Sequence, residues 1–387
     1  MNNIHRLQEL RQSIWLDNID RAMLDSGELK RMIIEDGIGG ITSNPSIFEK
    51  GISSGNHYDA AMIGQLARDA SQSGRELFYE LAIEDIQAAA DLFRPVYESS
   101  QYRDGMVSLE VSPDLAYDTE ATVREAHELW QRVKRPNLMI KVPATLEGVE
   151  AIERLISDGI NVNATLLFSV ERYLEVAEAF IRGLESRMTR GLNLDRIESV
   201  ASFFISRVDV AVDAQLQARM VQVGGDQPVS AVYKNLQGKA AIANARLAYH
   251  HWQTLFASDR FSPLAAAGAR SQRLLWASTG TKNPEFSDVL YIDELIGAET
   301  VNTVPPSTLK AFLDHGRAEQ TLVVDGGVEQ AEVLMQQFAG LDIDMAVITA
   351  DLEQQGVELF INSFTNLIAV VQAKADCMLS NGKKVNG

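Results

Sequence analysis

Leu138-Met139-Ile140-Lys141-Val142-Pro143-Ala144-Thr145 has four apolar residues in its first five positions. Such a run reads as a strand buried on both faces. Lysine is almost never fully buried unless it is paired or put to use, so Lys141 needs a reason to be there. Two readings stand at this point. The side chain can snorkel from a strand end to water on its methylene stem. Alternatively, desolvation can keep the amine neutral and ready to attack a carbonyl. The neighbouring segments have to decide between them.

Working outward, seven further segments read as strands: 13–18, 37–44, 106–111, 159–168, 197–205, 274–278 and 300–304. Asn44-Pro45 halts the second and Pro305-Pro306 closes the last, because the residue before proline leaves the helical region and proline cannot donate to a ladder. Helical spacing follows them, for example at Leu77, Leu81, Ile86 and Leu92, and again over 119–133, 170–188, 307–313 and 328–338. Thr119 and Thr145 are the expected N-caps of the helices they open. About 208–272 is too long for one crossover and reads as a helical insertion around the turn-like Gly224-Gly225-Asp226-Gln227-Pro228. About 352–376 reads as an amphipathic C-terminal helix packed on the barrel, with Val357, Phe360, Phe364, Leu367 and Val371 on its apolar side.

Eight strands each followed by helix predict an α/β fold, a (β/α)8 TIM barrel with additional helices, as one domain spanning 1–387. A doubly wound open sheet is the alternative. What favours the barrel is a set of polar residues at the C-terminal ends of different strands: Asp17, Asn44, Glu110, Lys141, Asn163, Thr165, Ser202 and Ser278. A barrel brings those ends to one mouth.

Composition narrows the chemistry. With 387 residues, 46% of them hydrophobic, the chain can bury a large core. Its net charge of −18 is spread without any cluster of Lys and Arg interleaved with aromatics, so no nucleic-acid partner is expected. A phosphate site in so acidic a chain has to be a local basic island. Cys377 stands alone, which leaves no internal disulfide and no multi-cysteine metal motif. The polar start, Met1 to Arg11, lacks a signal-peptide core, and no run of 18 apolar residues is present, so a cytoplasmic protein with no membrane partner is expected. The six histidines show neither H-x-H nor H-E-x-x-H spacing, so no metal is expected. No G-x-G-x-x-G, P-loop or G-x-S-x-G segment occurs, so neither a nucleotide cofactor nor a serine nucleophile is expected.

Lysine with carboxylates remains. Singly, Asp17 and Glu110 read best as caps or solvated loop ends. Together with Lys141 they describe one mechanism, in which an amine attacks a ketone, loses water and becomes an iminium that accepts the electrons of a breaking C–C bond. A lysine at its reference pKa is neutral in only about one molecule in 2,500 at pH 7, and burial among apolar groups favours the neutral form. The carboxylates would move the protons.

Four segments resemble the transaldolase family, in its order and close to its spacing: Ile41-Thr42-Ser43-Asn44-Pro45-Ser46-Ile47-Phe48, Ser108-Leu109-Glu110-Val111, Ile140-Lys141-Val142-Pro143-Ala144-Thr145 and 159–169, with Trp15-Leu16-Asp17 ahead of them. The likeness covers about 13–310 and is greatest to the longer bacterial members. It implies cofactor-free transfer of a dihydroxyacetone unit from fructose 6-phosphate or sedoheptulose 7-phosphate to erythrose 4-phosphate or glyceraldehyde 3-phosphate; the sequence leaves monomer and homodimer both open. It makes Lys141 the Schiff-base lysine and Asp17 the acid/base at the C4 hydroxyl. Glu110 and Thr165 would hold a proton-shuttling water, while Asn44 and Asn163 would bind substrate hydroxyls or the intermediate. Ser202 and Arg207 match the phosphate segment, with Ser278 beside them. Where shorter members carry a second arginine after strand seven, this chain has none, and Lys282 is its expected replacement. Arg270 and Arg273, ahead of that strand, are expected at the surface. The related fructose-6-phosphate aldolases carry Gln in place of Glu110 and Tyr in place of Phe204, so Glu and Phe here favour transfer. A lysine-dependent aldolase and a sugar-phosphate-binding barrel without catalysis are the competing expectations.

Overall fold

The structure is a computed structural model and describes residues 2–222 and 227–385. Eight parallel strands pair in sequence order and close on themselves: β1 (Gln12–Asp17), β2 (Gly40–Thr42), β3 (Met106–Glu110), β4 (Leu138–Pro143), β5 (Val162–Leu167), β6 (Ser199–Phe204), β7 (Arg273–Ala277) and β8 (Thr300–Val304). This is the (β/α)8 barrel, and the open sheet is excluded by the β1–β8 pairing. All six residues of the lysine strand β4 are buried, because the barrel interior covers one face and helices cover the other.

Register puts the polar strand residues side by side. Glu110 pairs with Lys141, Lys141 with Asn163, and Asp17 with Thr42. With a side-chain period of two, these residues and their i±2 neighbours share the inner face. Trp15 fills the interior below the mouth, and Gly40 exists to admit it: a Cβ there would lie 2.7 Å from the indole ring. The β5–β6 register shifts between Ala164 and Leu167, and Leu166 takes φ +64°. A bulge of this kind re-aims the neighbouring side chain, here Thr165.

Several elements differ from expectation. The second strand is only Gly40–Thr42, since Gly37 ends the preceding helical turn at φ +85°. Asp118, not Thr119, caps the helix Thr119–Val133 by accepting the Ala121 N–H at 2.9 Å; the Thr119 hydroxyl instead donates to the Glu147 carbonyl. Thr145 does cap its helix, accepting from Gly148. The C-terminal helix runs Met345–Val385, longer than expected, because Asp344 caps it by accepting the N–H groups of Ala346 and Val347. It is long and apolar enough to meet the minimum for a membrane span. Its stripe of Val357, Phe360, Phe364, Leu367 and Val371 is nonetheless buried against the rest of the chain. The 208–272 stretch holds helices Ser206–Gln222, Gln227–Leu236, Ala240–Phe256 and Ser262–Ala266, with 224–226 outside the described residues.

Arg273 is not at the surface. It is 3% exposed and closes the N-terminal end of the barrel, donating to Ser13 Oγ at 3.2 Å and Asp104 Oδ1 at 3.3 Å. The Asp104 carboxylate, which also accepts from Trp15 Nε1 at 3.0 Å, makes burial of that charge tolerable. Arg270 is half-buried and pairs with Glu198.

One close approach supports the site directly. Gly148, in the first turn of the helix after β4, packs so near the strand that a Cβ would lie 1.8 Å from the Pro143 carbonyl oxygen. Gly148→Ala is expected to destabilise the protein by about 3 kcal/mol through overpacking against backbone. The drop is read as a lower urea midpoint, and an unchanged midpoint would contradict this packing.

Candidate active site

The barrel mouth holds a cavity of about 150 Å³ lined by Asp17, Thr42, Asn44, Lys141, Thr165, Ser202, Phe204, Arg207, Ser278, Lys282, Thr303 and Phe360, among others. Two larger clefts of about 730 Å³ lie away from the mouth and share none of these residues. Eight of the ten expected site residues therefore meet in one small space. Glu110 and Asn163 do not line it.

Lys141 is 5% exposed. Its Nζ donates to the Ser43 carbonyl at 3.2 Å, lies 4.0 Å from Glu110 Oε2, and sits 5.3 Å from the centre of the Phe360 ring. The snorkelling reading fails on this geometry, because the amine ends among buried groups and not in water. Asp17 accepts from Thr42 Oγ1 at 2.7 Å. Thr42 has one hydroxyl hydrogen, so its second contact, to Thr303 Oγ1 at 2.7 Å, must be accepted from Thr303. That relay fixes the Asp17 carboxyl. Burial raises its pKa above the ordinary aspartate value, with Lys141 and the Thr42 hydrogen bond opposing.

Glu110 sits behind the lysine. Burial pushes its carboxyl up to about 7, against the pull of Lys141 and with a further push from Asp17. It lines a separate space of about 10 Å³ with Asn44, Tyr79 and Phe364, the size of a single water. Both its oxygens and Thr165 Oγ1 are buried without a protein hydrogen-bond partner. Buried polar atoms are normally satisfied, so the two Glu110 oxygens are fitted to hold water in that space, while the Thr165 hydroxyl faces the mouth cavity. A carboxyl titrating near neutrality can both give and take a proton at working pH.

Asn44 uses its Oδ1 to cap the helix Pro45–Ser53, accepting from Ile47 at 3.1 Å, which leaves its amide NH₂ for the cavity. Asn163 lies one layer lower. Its amide donates to Ser108 Oγ at 3.0 Å and accepts from Ser202 Oγ at 2.6 Å. The structure thus places it as a support for Ser202 in the cavity floor.

On the opposite wall the charge changes sign. Arg207 stands in the first turn of the helix Ser206–Gln222, with its guanidinium 5.7 Å from the Phe204 ring centre. No carboxylate of the described residues lies within ion-pair distance, and burial alone lowers its pKa. Lys282 reaches the same wall from the loop after β7 and is likewise without an acid partner among the described residues. Ser278, held at φ +55°, brings its hydroxyl within 2.9 Å of Ser206 Oγ. Strained backbone of this kind clusters at ligand sites. Two unpaired cations in a chain of net charge −18 form a local basic island suited to an oxyanion.

Thr42, Thr303 and Phe360 were not singled out for the site from sequence. Thr303 was detectable as a polar residue at a strand end. Phe360 carried no such sign, because its place depends on where the C-terminal helix crosses the mouth. No group of three or more His, Cys, Asp or Glu side chains poised for a metal occurs among the described residues.

Comparison with known proteins adds an independent line. The family model described as transaldolase/fructose-6-phosphate aldolase matches residues 14–371. A protein named transaldolase from Trichodesmium erythraeum is 46% identical over 375 residues, 96% of this chain and 97% of its own. Transaldolase 2 of a Nostoc strain is 43% identical over 376 residues, covering 97% and 98%. The transaldolase of Saccharopolyspora erythraea is 46% identical over 377 residues, again 97% and 98%.

Proposed function

Because this chain belongs to the transaldolase/fructose-6-phosphate aldolase family, we propose that it transfers a dihydroxyacetone unit between sugar phosphates through a Schiff base on Lys141. The donor is sedoheptulose 7-phosphate or fructose 6-phosphate and the acceptor glyceraldehyde 3-phosphate or erythrose 4-phosphate. That is a cytoplasmic step of the non-oxidative pentose phosphate pathway. The observation that carries the reading is the buried Lys141 amine 4.0 Å from Glu110, in a cavity shared with Asp17 and two unpaired cations.

The amine attacks the C2 ketone, and water leaves to give an iminium. Asp17 then takes the proton of the C4 hydroxyl as the C3–C4 bond breaks, and the bond electrons move onto the iminium to form an enamine. The freed aldehyde departs. The enamine carbon attacks the acceptor aldehyde, Asp17 returns its proton to the new hydroxyl, and water releases the product ketose. A water held between Glu110 and Thr165 carries protons during both imine steps. Arg207 and Lys282 bind the phosphate, with Ser278 and Ser202 beside it.

Borohydride added with fructose 6-phosphate is expected to trap an adduct on the Lys141 peptide. No adduct, or one on a different lysine, rules the mechanism out. Turnover with and without erythrose 4-phosphate then separates transfer from simple cleavage, since a transferase stalls after one half-reaction when no acceptor is present.

The phosphate assignment has its own check. Arg207→Ala is expected to raise KM for fructose 6-phosphate by about 100-fold, the size of two lost charge-assisted hydrogen bonds. Lys282→Ala is expected to raise it by about tenfold, because an exposed ammonium is a single screened point charge. With unphosphorylated fructose both variants should match the parent. Equal losses on the two sugars would place these residues elsewhere in the mechanism.

A further inference from the structure

The C-terminal helix Met345–Val385 does more than cover the barrel. Gly356, Phe360 and Phe364 are spaced by four and share one face of it. Gly356 lies flat on the β5 end, where a Cβ would meet Leu166 Cδ2 at 3.0 Å. Phe364 packs edge-on against Phe78 at 5.8 Å. Between these two seats Phe360, only 7% exposed, reaches into the cavity with its ring 5.3 Å from Lys141 Nζ.

The helix is tied down well away from that ring. Glu353 pairs with Arg172 at 3.1 Å, and Gln372 Oε1 accepts the Gly74 N–H at 2.7 Å. Lys374 Nζ donates to the Ile52 and Gly55 carbonyls at 2.9 and 3.0 Å. These contacts fix the helix, so the Phe360 backbone is held over the mouth and the ring is a preformed cover.

We propose that Phe360 decides the fate of the intermediate on Lys141, by keeping bulk water off the lysine–ketone adduct until an aldehyde acceptor arrives. This rests on the Schiff-base reading above. The enamine has two routes. In transfer, its carbon attacks the aldehyde carbon and the aldehyde oxygen takes a proton. In wasteful hydrolysis, a proton from water regenerates the iminium, water adds to its carbon, and the C–N bond breaks to free dihydroxyacetone and the amine. Both routes consume one water, but transfer needs it only after the new C–C bond has formed, whereas hydrolysis needs a proton at the enamine carbon and water at the iminium while no acceptor is present. An aromatic ring beside the nitrogen keeps solvent away during that interval. Phe360 is thus a specificity-determining residue.

The test measures free dihydroxyacetone released without acceptor, relative to transfer with erythrose 4-phosphate present. Phe360→Ala is expected to raise this ratio by about tenfold, as water reaches the waiting adduct. Phe360→Leu, which keeps an apolar cover but no π face, should raise it by less and serves if the alanine variant does not fold. Leu367→Ala is the control. Leu367 is fully buried on the same helix and does not line the cavity, so this variant should lose stability and keep the parent ratio. An unchanged ratio in both Phe360 variants, or an equal rise in Leu367→Ala, overturns the proposal. Failure to trap the parent protein with borohydride overturns the Schiff-base reading instead, so the two failures are told apart.

Discussion

Replacing Lys141 with methionine is expected to lower kcat by at least about 10⁴, since a covalent nucleophile has no substitute in the site and such losses reach about 10⁶. The same variant should give no borohydride adduct. Methionine keeps the length of the side chain and its apolar stem, so the β4 packing survives. Removing the cation would strand a buried carboxylate if Glu110 stayed charged, which is the usual reason that half of a buried pair is costly to delete. Here Glu110 already titrates near 7, and Lys141 is the group holding it down. Without the lysine the carboxyl simply stays protonated to higher pH. Lys141→Met is therefore expected to fold with a near-parental circular dichroism spectrum while being inactive. A folded variant keeping more than about 1% of parental kcat would be incompatible with a covalent lysine.

Glu110→Gln is expected to be the next most damaging change, lowering kcat by about 10²–10⁴, the span of a lost general acid/base. It should also change stability in a pH-dependent way. The native Glu110 carboxyl titrates at about 7 against an ordinary 4.5, so between those values the native state binds more protons than the unfolded one. The group's contribution is fully present below about pH 4.5 and is lost as pH rises through 7, a change on the order of 3 kcal/mol. Glutamine does not ionise and escapes that loss. The stability of the variant relative to the parent should therefore rise across pH 4.5–7 and level off above it. Urea midpoints at pH 4.5, 6 and 8 read this directly. A difference that stays flat with pH would mean that the carboxyl is not held out of water.

The two substitutions describe one arrangement. A site that needs a buried amine beside a buried acid carries groups that would be more stable in water, and the barrel supplies the difference from its packed walls.

Much of this was legible in the chain. Eight apolar or β-branched runs with polar residues at their ends specify parallel strands, and Asp17, Glu110, Lys141 and Thr165 stand out because their neighbours are apolar. Thr145 could be read as a cap, whereas Asn44 was legible only as the end of a strand, and Asp118 and Thr119 compete for one cap that only backbone geometry assigns. Arg273 was misjudged for a clearer reason. An arginine ahead of a strand is usually exposed, and its burial depends on Asp104, 169 positions earlier in the chain, arriving at the same end of the barrel.

The sequence by itself favoured the barrel and singled out Lys141, Asp17 and Glu110, since strand periodicity and a charge set among apolar neighbours are local properties that survive without coordinates. The tertiary structure alone decided which groups face the same space. It moved Asn163 into the floor beneath Ser202, joined Thr303 through Thr42 to Asp17, and brought Arg207 and Lys282 to one cavity with neither paired to an acid among the described residues. It also carried Phe360 from a helix more than 200 residues downstream to within 5.3 Å of the Lys141 amine. Those contacts are long-range because closing a barrel fixes register and height for every strand and helix at once, and no stretch of sequence records the sum.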